Sequence, residues 1–242
     1  MILKREVTKT HYIFKLGFFK LKLKKPYNSK IYIVDQNGNK SIVKKVKGLN
    51  VKFEGDNASL LLHLPIINFK NSKILIGSNS IVEIKSSHRN ANNLNILATA
   101  NNVKCFIDED FSCHDRVDIL LDKENGTNVL IGKNCMFASY ILIRTSDSHV
   151  IIDKDSKKIL NYGKDVIIGN HVWIARNVAL LKGAQVADNS VVGAFSVVTK
   201  PLTEENAIYV GSPAKKVKSN IDWYRSSIPK YQDAIENGVI PV

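Results

Sequence analysis

The sequence predicts an all-β fold in which short strands stack into a prism, with a strand-rich region ahead of it and a short helix behind it. Three observations lead there. Aliphatic residues recur every six places at Ile168, Ile174, Leu180, Val186, Val192 and Val198, a period that is neither the 2 of an ordinary strand nor the 3.6 of a helix. Small or aliphatic residues follow each of the first five by four places, at Val172, Val178, Ala184, Ser190 and Ser196. The same ruler laid upstream meets Ile107, Cys113, Ile119, Ile131, Phe137 and Ile143, and more loosely Ile76 and Val82. A six-residue unit supplies one short strand and one turn. Three units then close a triangular coil of about 18 residues, and stacked coils bury a continuous aliphatic column.

Three segments follow. Residues 1–73 read as a basic, strand-rich region, because the first 50 residues hold 13 Lys or Arg against only Glu6 and Asp35. Within it "KLGFFKLKLKK" alternates apolar and basic residues as a half-exposed strand does. Such a face is either plain solvated surface or a contact for an anionic partner. No helix-turn-helix, zinc-finger or aromatic RNA-binding pattern accompanies it, so nucleic acid is not expected. Residues 74–220 form the prism. Its register blurs between Ile84 and Val103, where irregular turns are expected, and it breaks between Ile143 and Ile168. The polar run "DKDSKKILNYGKD" inside that break predicts a projecting loop at about 150–166. In residues 221–242, Ile221, Tyr224 and Ile228 take helical spacings, which predicts a short helical cap over the open end.

Composition bounds the rest. A chain of 242 residues with 44% hydrophobic content is ordinary for a globular protein. It has no apolar run near the roughly 20 residues that span a bilayer, and no apolar core of signal-peptide type at its N-terminus, so a cytoplasmic location is expected. Cys105, Cys113 and Cys135 show no CxxC spacing, and the last two fall on inward repeat positions. They read as core.

His149 stands one hexad beyond Ile143, where the chain leaves the prism, with Ser146, Asp147 and Ser148 beside it to orient the ring. A lone histidine is more often structural than catalytic. The order "DSH", loop, "IGNHVWI", with 24 residues from His149 to Trp173, resembles the hexapeptide-repeat O-acetyltransferases, among them the galactoside, maltose and capsule sialic acid enzymes. That resemblance covers residues 74–220 and implies a left-handed parallel β-helix, a homotrimer and acetyl-CoA as cosubstrate. It implies His149 as the base that deprotonates a sugar hydroxyl for direct attack on the thioester. No Ser or Cys sits in a GxSxG pattern, as an acyl-enzyme of that kind would need.

The resemblance also implies a CoA site. Trp173 would wall the pantetheine arm or the acetyl pocket, with Ala175 and Arg176 beside it. "VVGAFSVVTK" resembles the family segment "GAGSxVTK", so Gly193 and Ala194 would admit the CoA arm and Thr199 and Lys200 would meet its later part. "VGSPAKKVK" resembles "GxPAK", which places Lys215 and Lys218 by the nucleotide phosphates. One departure bears on the acceptor: the N-terminus reads as basic strands where galactoside enzymes carry a helical segment, and the upstream coil reads "FSCHDRVD". His114 and Arg116 are either acceptor contacts or outward turn residues, and Asp147 is a third acceptor candidate. A carbohydrate acceptor, possibly an anionic polysaccharide, is expected. Two rivals stay open. A zinc hydratase of the γ-carbonic-anhydrase type would need ligands from the chain's six histidines, which show no close ligand pair; no metal is expected. A non-catalytic scaffold would not need His149.

Overall fold

Residues 27–239 are described by a computed structural model, which also gives the backbone of the strands Lys4–Val7, His11–Leu16 and Phe19–Lys24. These three strands pair antiparallel as a meander. The side chains of Lys20, Lys22, Lys24 and Lys25 lie outside the described residues.

From Lys30 onward the chain winds a three-faced prism of parallel strands. The first face stacks Lys30–Val34, Ser59–His63, Ile81–Ile84, Lys104–Ile107, Asn128–Ile131, Val166–Ile168, Gln185–Val186 and Pro201–Leu202. The second and third faces are joined by two nine-residue strands, Ser112–Leu120 and Met136–Arg144, each of which turns an edge midway. The ladders thus begin well ahead of the predicted boundary at residue 74.

Every hexad position named from the sequence points inward. Ile168, Ile174, Leu180, Val186, Val192 and Val198 are buried, as are Ile107, Cys113, Ile119, Ile131, Phe137 and Ile143. The four-later positions join them, and where these are serine the hydroxyl bonds backbone: Ser196 Oγ accepts from Gly211 N at 3.1 Å and Ser190 Oγ donates to Asp188 O at 3.1 Å. Phe111 and Phe137, one coil apart, pack edge to face at 5.1 Å.

The edges turn by single residues in the left-handed α region, which Asn and Asp tolerate best because the short polar side chain bonds locally. Asp110, Asn134, His171, Asn189 and Asn206 form one such row, with φ between 52° and 56°. A second row sets Arg116, Tyr140, Asn177 and Phe195 at φ 43° to 60°. The third edge carries the loop.

Coil length departs from the predicted 18 residues over half the molecule. Ile168 pairs with Val186, 18 places on, but Val82 pairs with Cys105, 23 on, and Cys105 with Val129, 24 on. The stretch 84–103, expected to be irregular, is paired in register through Leu94–Ala98. It escapes a six-residue ruler because coils of 22 or 23 residues are not multiples of six. A short helix does form, but over Ile228–Glu236 with none of its residues buried, whereas Ile221 and Tyr224, whose spacing predicts it, lie ahead of it in non-helical chain. Ahead of it, residues 221–225 run back along the His171 edge. Ile221 N donates to Asn206 O at 2.9 Å, Trp223 Nε1 to His171 O at 2.8 Å and Arg225 Nη1 to Ser112 Oγ at 2.6 Å. Among the described residues no helix is long and apolar enough to cross a membrane.

Candidate active site

The strand Met136–Arg144 ends at the loop edge, and Arg144 organises the exit. Its guanidinium donates to Ser146 O at 2.8 Å and to Ser148 Oγ at 2.5 Å. Ser148, at φ 67°, then reverses the chain and turns His149 outward. The imidazole is exposed on a cavity of 300 Å³ lined by Lys123, Glu124, Ile159, Asn161 and Tyr162. A base must meet a diffusible hydroxyl, and this ring is free to do so.

What holds His149 is its backbone. The buried Asn161 donates from Nδ2 to His149 O at 2.8 Å and accepts from Ile151 N at 2.7 Å through Oδ1. The same Nδ2 reaches Asp147 Oδ2 at 3.0 Å. Lys182, from the following coil, closes the arrangement by an ion pair to Asp147 at 2.5 Å and a hydrogen bond to Asn161 O at 2.8 Å. Lys182 first and Asn161 second hold the Asp147 carboxyl below its usual range. Asp147 is accordingly a brace. The expectation that Asp147 or Ser148 orients the ring fails because both side chains are engaged elsewhere, Ser148 Oγ by Arg144 and Asp147 by Lys182 and Asn161, while Ser146 is buried. Asn161, Lys182 and Arg144 were not singled out from the sequence. Nothing in their local sequence marks Asn161 and Lys182, whose partners lie 10 to 35 residues away, and Arg144 is marked only once its two serine contacts are seen.

The loop itself is a built hairpin. Ile152 bridges Ile159, and Asp153 accepts from Ser156 N and Ser156 Oγ at 2.7 Å each. Its flanks leave Val150, Ile151, Leu160 and Tyr162 more than half exposed.

The other predicted residues fall on several parts of the prism. Thr199 and Lys200 share the loop edge with His149, where they line a 540 Å³ groove with Lys164 and Lys182. Trp173 lies on the second face. Trp223 packs beside it with ring centroids 6.1 Å apart. Ala175 and Arg176 follow it toward the Tyr140 edge. Arg176 and Arg116 sit over the Tyr140 ring at 5.1 and 5.9 Å. His114 is exposed on the second face, its carbonyl bonded by Asn92 Nδ2 at 2.8 Å. Ala194 is exposed beside that edge, but Gly193 faces the last coil: a Cβ there would come within 2.6 Å of Val210 Cγ1, so coil packing already demands this glycine. Lys215 and Lys218 are exposed on a strand antiparallel to Ile208–Val210. Within one chain, then, His149 and Asp147 share an edge with Thr199 and Lys200, with Lys182 between the two pockets, while Trp173, Arg176, His114 and Arg116 occupy another side.

The cysteines take no part in nucleophilic chemistry. Burial pushes all three thiols up to about 12, so none is a thiolate at neutral pH. Among the described residues no three His, Cys, Asp or Glu side chains converge as metal ligands would.

Residues 165–200 match the family model described as bacterial transferase hexapeptide (six repeats). A polysialic acid O-acetyltransferase of Neisseria meningitidis is 34% identical over 190 residues, covering 71% of this chain and 88% of that protein. A second polysialic acid O-acetyltransferase, from Escherichia coli O1:K1 / APEC, is 39% identical over 109 residues, 45% of this chain but only 34% of that protein. Among solved structures, that of the polySia specific acetyltransferase NeuO superposes with a TM-score of 0.70 at 27% identity, covering 87% of this chain and 96% of that one.

Proposed function

Because the chain belongs to the hexapeptide-repeat O-acetyltransferases, we propose that it transfers an acetyl group from acetyl-CoA to a hydroxyl of a surface glycan, with a sialic acid polymer the leading acceptor. The observation that carries this reading is His149: an exposed imidazole at the root of a braced loop, open to a cavity that a sugar hydroxyl can enter. The unprotonated ring nitrogen takes the hydroxyl proton as the oxygen attacks the thioester carbonyl. A C–O bond forms, the C–S bond breaks through a tetrahedral intermediate, and the proton returns to the departing CoA thiolate. Direct transfer suits a site whose cysteines are all buried.

The donor fits the basic groove beside His149. Lys164 and Lys200 line it, beside Asp165 and the already paired Lys182, and lysine meets phosphate as a compact point charge. Trp173, Ala175, Arg176, Gly193, Ala194, Lys215 and Lys218 lie too far around the prism to complete that site within one chain. We therefore place them on a neighbouring subunit of a homotrimer with the left-handed winding of the family. The apolar flanks of the hairpin, with Val150 65% exposed and Leu160 63% exposed, support burial against that neighbour. His114 and Arg116 remain acceptor contacts in this reading, and a cytoplasmic setting supplies the acetyl-CoA. Release of free CoA thiol on incubation with acetyl-CoA and α2,8-linked sialic acid oligomers, absent in His149→Ala, tests it. No release with any glycan, or activity from a monomer of 27.1 kDa in light scattering, overturns the corresponding part.

A further inference from the structure

The segment that runs back along the His171 edge builds a second feature, distinct from the His149 cavity. Trp223 is buried between two partners: the His171 ring stacks on it at 4.3 Å and 8°, and the Arg225 guanidinium lies 5.8 Å from its centroid. Arg225 is itself anchored to Cys135 O at 3.0 Å and Asn134 Oδ1 at 3.2 Å. His171 Nδ1 meets Asn134 Nδ2 at 2.9 Å and its Nε2 meets Trp223 O at 3.0 Å. The indole is therefore fixed in place before any ligand arrives.

Beyond it opens a cleft of 670 Å³ lined by Trp173, Trp223, Tyr224, Tyr231, Asp222 and Ser226. Tyr224 and Tyr231 pack at 5.0 Å and 42°. A site with aromatic faces and a few hydroxyl and carboxylate groups at the rim suits a pyranose ring, whose axial C–H face is apolar and whose edge carries hydroxyls. It does not suit the nucleotide end of CoA, because the charged residue among those lining it is an aspartate, which repels phosphate. We propose that this cleft is a subsite for a pyranose ring of the acceptor glycan, packed against Trp173, Tyr224 and Tyr231 over the fixed edge of Trp223, with its hydroxyls toward Asp222 and Ser226. An acidic sugar presents its uncharged ring face here. The inference rests on the acetyltransferase reading, in which Trp173 stands at the acetyl end and the acceptor must approach it.

The chain has two tryptophans, Trp173 and Trp223, and both line this cleft. Its intrinsic fluorescence therefore reports occupancy with no acetyl transfer required. The full-length protein is titrated, without acetyl-CoA, with methyl α-sialoside, methyl β-galactopyranoside and CoA in parallel. At least one pyranoside changes the emission saturably, and Tyr231→Ala weakens that binding about five- to tenfold, the scale of one aromatic contact. Tyr231→Phe, which keeps the ring, retains most of it. In turnover assays Tyr231→Ala raises KM for the glycan while KM for acetyl-CoA stays put. Tyr231 lies on a helix with no buried residue, so an unchanged melting temperature separates this from misfolding. No saturable response to either sugar, a response to CoA alone, or equal affinity in wild type and Tyr231→Ala overturns the proposal. If CoA release fails while the sugars still bind, the acetyltransferase reading falls and the cleft stands.

Discussion

The coils that follow the loop and the coils that precede it solve the same packing problem with different slack. After the loop, Leu180 pairs with Val198, 18 places on, and strands of two residues are separated by minimal turns. Before it, Ile119 pairs with Ile143, 24 places on, through strands of four to nine residues. The spare residues of the earlier coils go into the edges, as at Leu121–Thr127. Across the seam Ile143 pairs with Leu180, 37 places on, and the surplus is the hairpin that carries His149. A minimal turn offers single side chains such as Lys182 and Lys200, but no excursion long enough to carry His149 with its own brace. The site is built where the repeat is interrupted.

The largest effect should come from the seam. His149→Ala should lower kcat by about 10²–10⁴-fold, the contribution of a positioned acid–base group, with CoA binding retained by equilibrium dialysis. Near-normal turnover would show that the interruption holds a fold element and no base.

Core truncation compares the two kinds of coil directly. Ile174 and Ile96 are both fully buried, and each change to Ala should cost about 2–5 kcal/mol. The cost should be greater at Ile174, where two-residue strands leave less backbone to relax. Thermal melts of both variants decide it, and equal losses would deny the slack any energetic meaning.

Loosening the brace should cost less than removing the base. Asn161→Ala should reduce kcat about 10- to 100-fold through misplacement, while leaving the shape of the pH–rate profile intact because the base remains. Asp147 makes the profile readable. Its pKa is lowered by Lys182 and Asn161, so the stability it contributes is present above the unfolded carboxyl pKa and is lost as pH falls through the lower, folded one. If the wild-type rate holds until pH falls below about 4, where carboxylates titrate, the brace and not the base sets it.

Edge geometry gives a smaller test. Phe195, 72% exposed at φ 60°, occupies a conformation that costs a bulky side chain roughly 1–2 kcal/mol. Phe195→Gly should raise the melting temperature, and Gly183→Ala, at φ 77°, should lower it. Smallest of all, changing Lys20, Lys22, Lys24 and Lys25 to Gln should raise KM for an anionic glycan modestly, in the same direction as added salt. Unaltered kinetics at low and high salt would return that strand to plain solvated surface.

The hexads after the loop were legible because six is also the period of the structure there: strand, turn and inward residue repeat together, so Ile174 and Leu180 announce themselves. Earlier coils of 22 or 23 residues bury Leu94 and Ile96 just as completely, yet they drift against any fixed ruler. His149 draws notice by its place at the repeat's exit, and only the resemblance of its spacing from Trp173 to that of the family makes it a candidate base.

The sequence by itself determined the inward column, the position of the interruption and the histidine at its root, because each depends on neighbours within one coil. Only the tertiary structure decided what holds that histidine and what faces it. Lys182 reaches Asp147 across 35 positions, and Trp223 reaches His171 across 52. Contacts between coils depend on the accumulated length of every intervening turn, which leaves no local period to read. The aromatic cleft has the same origin: Trp173 and Tyr231 become neighbours only because residues 221–225 retrace the edge that the earlier coils built.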